Sequence, residues 1–344
     1  MGAKDRVIWC YHDYVLRGTE MNKRERVQAT LKGEPVDRPA VAFWRHWPVA
    51  DQDAEALARA TLEFQRRFDW DFIKVTPSST FSVDDHGAKH AYRGQMIGDR
   101  DYLERVIKRP EDWDLIQPLD VRKGAYGRQL RCLRMVVEQR DPETPVIQTM
   151  FNPLAMARFL AGDEAYLVHL RREPERVQRA LAALTETCAG FVRAAIQEGA
   201  DGIFLSTSSA SFDMMSEEEY LRFGRPYDLE VLAAAQGGWF NVLHLHGKYP
   251  MFAQVAGYPV QAVNWHDRTS WPGLAEAAKL FPGALVGGVE QYELLHFGTP
   301  DEVAAQVKDA IGKMGGRRLI VAAGCTYPQT VPEVNLLAAR RAVG

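Results

Sequence analysis

The sequence predicts a (β/α)8 barrel, and three observations carry that prediction. Short apolar runs recur along the 344 residues, and eight of them have strand length. Most are apolar at successive positions, as strands buried on both faces of a parallel sheet are. Helix-like stretches separate them, so strand and helix alternate as a barrel requires. A doubly wound sheet would need fewer strands and usually a glycine-rich phosphate loop after the first. Here the first strand runs into Arg45-His46-Trp47-Pro48, which is no such loop.

In chain order the strands are expected over Pro39–Trp44, Asp71–Thr76, Pro145–Thr149, Asp201–Ser206, Asn241–Leu245, Gln261–Trp265, Ala284–Gly287 and Arg318–Ala322. Between them, Asp53–Arg67 repeats apolar residues at helical spacing. Glu173–Glu198 is a long helical pattern that ends in Gly199-Ala200-Asp201, just before a strand. Ser216–Ala235 opens with three glutamates, which suit the positive end of a helix dipole. Gly273–Leu280, Thr299–Met314 and Val331–Val343 complete the set. Thr299-Pro300-Asp301-Glu302 is a good helix start: threonine caps, proline takes the first position and acids follow. Pro77–Leu119 is expected to be irregular. Residues 1–20 are read as an N-terminal extension and residues 21–344 as one barrel domain.

Composition narrows the class. Hydrophobic residues are 46% and charged residues 25%, which excludes a disordered chain and supplies a core. The formal net charge is −3, with no block of like charges, so nucleic acid is not the expected partner. No apolar run approaches the roughly 18 residues of a membrane span. Four cysteines, Cys10, Cys132, Cys188 and Cys325, are too sparse for a disulfide framework, and no Cys-x-x-Cys pair occurs. The opening residues lack the apolar centre of a signal peptide. The expectation is a reduced, cytoplasmic protein acting on a small molecule.

Barrel enzymes build their sites at the C-terminal ends of the strands. That rule selects Arg45 and His46 after strand one, and Thr76, Ser78, Ser79, Asp84, Asp85 and His86 after strand two. It adds Asn152, Ser206–Ser209, His244 and His246, Asn264 and His266, Glu290, and finally Cys325 and Tyr327. His244-Leu245-His246-Gly247 is the sharpest local feature. Strand residues two apart point the same way, so two imidazoles share one face. Cys325 ends strand eight, across the mouth. Two imidazoles and a thiolate make three ligands with a fourth position open, the pattern of a catalytic zinc site. Each part has an inert reading as well. A His-x-His pair alone is more often two hydrogen-bonding histidines, and a lone cysteine is usually a small buried hydrophobe. Their convergence on one mouth is what raises the metal reading.

The remaining candidates weigh less. Asp84-Asp85-His86 has metal-ligand chemistry, but acids in a long loop are usually solvated. Ser206–Ser209 lacks the flanking residues of a nucleophile elbow and reads as a polar strand-to-helix loop. Phe43, Trp44, Trp47, Phe72 and Phe81 read as core. Arg45 and Lys74 are the cations near the mouth, Lys74 lying within strand two. The candidate catalytic residues are therefore His244, His246, Cys325 and Glu290. The candidate substrate-binding residues are Arg45, Thr76, Asn152, Ser206, Asn264 and Tyr327.

At these residues the chain resembles the uroporphyrinogen decarboxylase superfamily. The segment from Met21 to Pro39 resembles its opening. So do Asn152-Pro153-Leu154, Leu160-Ala161-Gly162, Glu198–Asp201, Arg225-Pro226-Tyr227, His244–Gly247, Gly287-Gly288-Val289, Gly298–Val303 and Ala323–Asn335, all in the family's order. The resemblance implies a single barrel with one of two chemistries. One is cofactor-free decarboxylation of uroporphyrinogen. The other is zinc-dependent methyl transfer between a corrinoid and an acceptor such as a thiol. The decarboxylases carry an arginine-rich early loop and an aspartate after strand two. Here those stretches read Arg45-His46-Trp47-Pro48-Val49 and Lys74-Val75-Thr76-Pro77-Ser78, with one arginine and no aspartate.

The methyltransferases place zinc on a His-x-Cys-Gly motif after strand five and a Gly-Cys motif after strand eight. Carried over, the ligands are His244, His246 and Cys325, with His246 replacing the usual cysteine. One thiolate fewer leaves the metal more positive. The implied function is zinc-dependent transfer of a methyl group between a small methoxylated or thiol substrate and a methylcorrinoid (cobalamin) on a separate partner protein. Direct transfer to a folate stays open. The family often forms dimers, so a homodimer is among the expected states. The rival reading is a decarboxylase of a tetrapyrrole or smaller acid, in which Arg45 anchors a carboxylate and His244 or His246 manages protons.

Overall fold

The computed structural model describes residues 20–344. All but the last residue of the expected 1–20 extension therefore lies outside the described residues. Eight strands make one parallel sheet: β1 (Ala40–Val41), β2 (Ile73–Val75), β3 (Val146–Phe151), β4 (Gly202–Thr207), β5 (Val242–Leu245), β6 (Ala262–Asn264), β7 (Ala284–Val289) and β8 (Leu319–Ala323). Their order is β1-β8-β7-β6-β5-β4-β3-β2, the sequence of a curled (β/α)8 sheet cut between β1 and β2. Each strand overlaps the run expected for it.

Across the cut, Asp71 takes the place of a strand ladder. Its N–H donates to Val41 O at 2.9 Å, and its carboxylate accepts from Val41 N at 2.8 Å. The carboxylate is fully buried. Arg38 grips it through both Nη atoms at 2.7 and 2.9 Å, and Arg26 donates at 2.8 Å. A buried charge is tolerated where it is paired and hydrogen-bonded on every side, as here. Arg26 belongs to the helix Lys23–Lys32, which starts in an Asn22–Glu25 capping box. That helix is thereby tied to the N-terminal end of the barrel.

The outer helices follow their signals. Ala54–Phe68 starts on an Asp53 cap, and Pro300–Met314 starts on a reciprocal Thr299–Glu302 capping box. Pro174–Gln197 matches the long pattern. The expected single helix Ser216–Ala235 is instead two, Glu217–Phe223 and Arg225–Ala234. Pro226 has no N–H to continue the ladder and its ring clashes with the preceding turn, so the chain breaks at Gly224. Gly124–Gln139, Pro153–Ala161 and Asp163–Arg172 are further helices.

The stretch Pro77–Leu119 is more ordered than expected. It holds a short helix, Phe81–Asp84, a 3-10 turn, Pro110–Leu115, and an antiparallel hairpin of Lys89–Ala91 with Asp101–Glu104. The hairpin strands are brief and half exposed, so they carry little apolar signal. Phe43, Trp44, Phe72 and Phe81 are core residues as expected, and Trp47 is partly buried against them. Cys132, Cys188 and Cys325 are free thiols, and burial pushes that of Cys132 up to about 12. Among the described residues no helix is long and apolar enough to cross a membrane.

Candidate metal centre

Strands β5, β6 and β8 bring four side chains together at the C-terminal mouth. His244 and His246 project from the end of β5, His266 follows β6, and Cys325 follows β8. One donor atom from each lies within 4.8 Å of every other. Gly324 makes this approach feasible. A Cβ there would stand 2.8 Å from His266 Cα and 2.9 Å from Trp265 O, so only glycine lets β8 close on β6 and carry Cys325 to the histidines.

The spacings are those of ligands around one small ion. Cys325 Sγ is 3.6 Å from His244 Nε2 and 3.8 Å from His246 Nδ1. His266 Nε2 is 3.4 Å from His246 Nδ1. Tetrahedral zinc with ordinary bond lengths would hold sulfur and nitrogen about 3.6 Å apart and two nitrogens about 3.3 Å apart.

A second layer sets the tautomer of His244. Asn264 Nδ2 donates to Val286 O at 2.8 Å and to Ala323 O at 3.1 Å. Both partners are carbonyls, so that end must be the NH2, and Oδ1 faces His244 Nδ1 at 2.6 Å. Nδ1 therefore carries the proton, and Nε2 turns a free lone pair toward Cys325. This is the arrangement that orients metal-binding imidazoles. His266 Nδ1 meets Gln291 Nε2 at 2.8 Å.

The thiol responds to its neighbours. Burial alone would push Cys325 up, but the imidazoles of His244, His246 and His266 draw it well below the ordinary thiol range. Burial lowers His244, whereas His246 is raised because the Cys325 sulfur outweighs its burial. A donor set of imidazole nitrogens and one cysteine sulfur fits zinc better than magnesium or calcium.

The cluster forms one wall of a cavity of about 240 Å³. Aromatic rings of Trp44, Phe151, Phe159 and Phe204 line it, and the hairpin roofs it with Ile97, Asp99, Arg100 and Tyr102. Thr76, Ser206 and Ser208 supply hydroxyls. Lys74 also turns inward. Its Nζ lies 4.4 Å from the Phe204 ring centroid and 5.5 Å from that of Trp44, and donates to Thr76 Oγ1 at 3.2 Å. Burial lowers it from the usual lysine value to about 7, an effect that Cys325 partly offsets.

The structure thus joins His244, His246 and Cys325, backs them with Asn264, and puts Thr76 and Ser206 in the adjoining cavity. Other candidates stand elsewhere. Arg45 lies over the Trp47 ring at 4.9 Å and donates to Gln329, outside that cavity. Asn152 caps the helix Pro153–Ala161 and donates to buried Asp228 at 2.7 Å. The Glu290 carboxylate accepts from the backbone of Tyr292, Glu293 and Leu294. Tyr327 is buried, edge-on to Phe43. In the Asp84–His86 loop, Asp85 accepts from the backbone N–H groups of Ala125 and Tyr126, and Asp84 pairs with His90 and Arg128. His266 and Lys74, both named near the mouth from the sequence, take more definite places: His266 joins the ligand cluster and Lys74 lines the cavity. The strand alternation that puts Lys74 on the same side as Thr76 was the available signal.

Comparison with known proteins places the chain in a family and supports its fold. A family model described as uroporphyrinogen decarboxylase (URO-D) matches residues 22–344. The methylcobamide:CoM methyltransferase MtbA of Methanosarcina mazei is 26% identical, over 92% of this chain and 96% of its own. That of Methanosarcina acetivorans is 23% identical with the same coverage. The solved structure of a methyltransferase from Methanosarcina mazei superposes with a TM-score of 0.84 at 20% identity, covering 94% of this chain and 98% of that one.

Proposed function

The chain belongs to the uroporphyrinogen decarboxylase family, and from that premise we propose that it is a zinc-dependent methyltransferase moving a methyl group between a small substrate and a corrinoid. The reading rests on the convergence of His244, His246, His266 and Cys325 within 4.8 Å at the barrel mouth. The relatives named as methylcobamide:CoM methyltransferases support it at low identity.

In this reading His244 Nε2, His246 and Cys325 would hold the ion and leave a fourth position for the substrate, with His266 beside them. Bound zinc supplies Lewis acidity, which stabilises a thiolate or polarises an ether oxygen. The chain's own residues prepare that event. Asn264 keeps His244 Nε2 unprotonated. Phe204 stacks on His244 at 5.3 Å and shields it from water. The rings of Trp44, Phe151 and Phe159 hold the body of the substrate, and the hydroxyls of Thr76 and Ser206 orient its polar atoms. A methylcorrinoid, free or on a partner protein, serves as the methyl carrier.

A uroporphyrinogen substrate fits poorly. The cavity lies below the roughly 300–1,000 Å³ of ordinary small-molecule sites. Its arginines are already engaged, Arg100 with Asp51 and Arg158 with Asp163. A molecule with many carboxylates would find few free cations there.

The test is metal analysis with matched variants. The purified protein should hold about one zinc per chain. Cys325→Ser and His246→Ala should each lower that content and abolish methyl transfer, with an unchanged circular dichroism spectrum. Near-normal methyl transfer by metal-free protein would overturn the proposal.

A further inference from the structure

The roof of the cavity is built unlike its walls. Most of the wall comes from strands β2 to β5, which the parallel ladder holds in place. The roof is the loop 92–100 at the tip of the Lys89–Ala91 and Asp101–Glu104 hairpin, and Ile97, Asp99 and Arg100 of that tip line the cavity. The hairpin is a separate two-stranded sheet, unpaired with the barrel strands. A hairpin alone is marginally stable, so its place over the mouth depends on what fastens its tip.

Among the described residues one backbone hydrogen bond joins the tip to the barrel, Gln329 N to Met96 O at 2.7 Å. Side chains make the other fastenings. Gln329 Nε2 donates to Ile97 O at 3.2 Å and to His46 O at 3.0 Å, and its Oε1 accepts from Arg45. Arg100 donates to Asp51 Oδ1 at 2.8 Å and to Pro48 O, and its N–H donates to Ser79 Oγ at 3.2 Å. Gln329 thus clasps the loop after β8 to both the loop after β1 and the hairpin tip. Arg45, whose guanidinium rests on the Trp47 ring, holds the other end of that amide. The fit is close at Gly98, where φ is 82° and a Cβ would stand 2.7 Å from Gln329 Nε2 and 2.9 Å from His46 Cβ. The tip seats on the clasp only because position 98 carries no side chain.

We propose that residues 92–100 are a lid over the cavity and that Gln329, braced by Arg45, is its latch. Release of the Gln329 amide frees the tip from both barrel loops together, and the hairpin can lift. Closed, the tip keeps water from the aromatic cavity and the cluster. Open, it admits molecules too large to pass the closed roof. Side-chain hydrogen bonds are worth little net in water, which suits a closure that must break in every cycle. Arg45, which stands outside the cavity, thereby gains a role. The device depends on neither zinc nor methyl transfer, since its contacts lie outside the cluster.

Cys325 reports the opening, because it lines the cavity under this roof. Cys132 and Cys188 are fully buried, and Cys10→Ser serves as the background for every protein compared. On protein freed of metal with a chelator, Cys325 is labelled with methyl methanethiosulfonate or with a methanethiosulfonate carrying a biotin tail. Each rate is divided by that of the same reagent with free cysteine. With the latch intact, the bulky reagent should react at least about tenfold more slowly than the small one, as gating by a lid requires. Gln329→Ala and Arg45→Met should each raise the bulky rate at least about fivefold, the worth of one net hydrogen bond, and leave the small rate within about twofold. Hydrogen exchange read by mass spectrometry on protein as purified should show residues 92–100 exchanging faster in both variants, with strands β3 to β5 unchanged. Equal rates for the two reagents with the latch intact, equal gains for both in the variants, or no gain with Gln329→Ala would overturn the proposal. So would faster exchange spread over the barrel strands, which would mark lost stability rather than a released lid.

Discussion

Replacing Lys74 by methionine should stabilise the protein, and by an amount that depends on pH. The ammonium is buried without an acidic partner, and burial lowers its proton affinity from the usual 10.5 to about 7. Each unit of that difference corresponds to about 1.4 kcal/mol, so holding the charge inside costs up to about 5 kcal/mol near neutral pH. Local relaxation and water entry reduce such penalties, and an overlong or mismatched stem costs up to about 1.5 kcal/mol. The expected net gain for Lys74→Met is about 1–3 kcal/mol at pH 7. The sign follows from the lowered folded-state value. Between pH 7 and 10.5 the unfolded chain holds the lysine proton and the folded chain releases it. Wild-type stability therefore gains on the variant as pH rises through that window, and the gap closes near its upper end. Below pH 7 both states are protonated and the full penalty remains. The attraction between Lys74 and Cys325 exists only in the wild-type protein, and it is already contained in the value of about 7. Urea unfolding of both proteins across this pH range reads the gap directly. A variant that is less stable at pH 7, or a gap that does not change with pH, would refute the reasoning.

Two further outcomes follow from the same contacts. Asn264→Ala removes the acceptor that holds the His244 Nδ1 proton, and zinc affinity measured by competition with a chelator should fall about 10–100-fold; an unchanged affinity would show that Asn264 does not set the tautomer. Asp71→Asn leaves Arg26 and Arg38 facing a neutral amide at the β1–β2 closure, and unfolding should become easier by about 3–5 kcal/mol; a loss below about 1 kcal/mol would mean that the closure does not depend on that charge.

The barrel was legible because its signals are local. Each strand is a short apolar run, and each outer helix announces itself by period and cap, as Thr299–Glu302 does at the start of Pro300–Met314. The pairing of His244 with His246 was legible for the same reason, since alternation along a strand is a property of adjacent residues. Their meeting with Cys325 needed one more premise, that strand ends of a closed barrel share a mouth.

What the sequence determined by itself was therefore the order of elements, the strand ends and the residue types presented there. Only the tertiary structure decided what each polar residue at a strand end does. Asn152 and Glu290 stand where site residues stand, yet they satisfy helix N-termini, because capping and catalysis draw on the same side chains. Arg45 has the right charge and position in the chain, but its guanidinium lies over Trp47 and on Gln329, a residue nearly the whole chain away. His266 joins the cluster because Gly324 lets β8 approach β6, a contact between distant segments. Lys74 lines the cavity together with Thr76, which alternation puts on the same side of the strand. Periodicity says which residues of a strand share a face, and only closure of the sheet says which face is the inside.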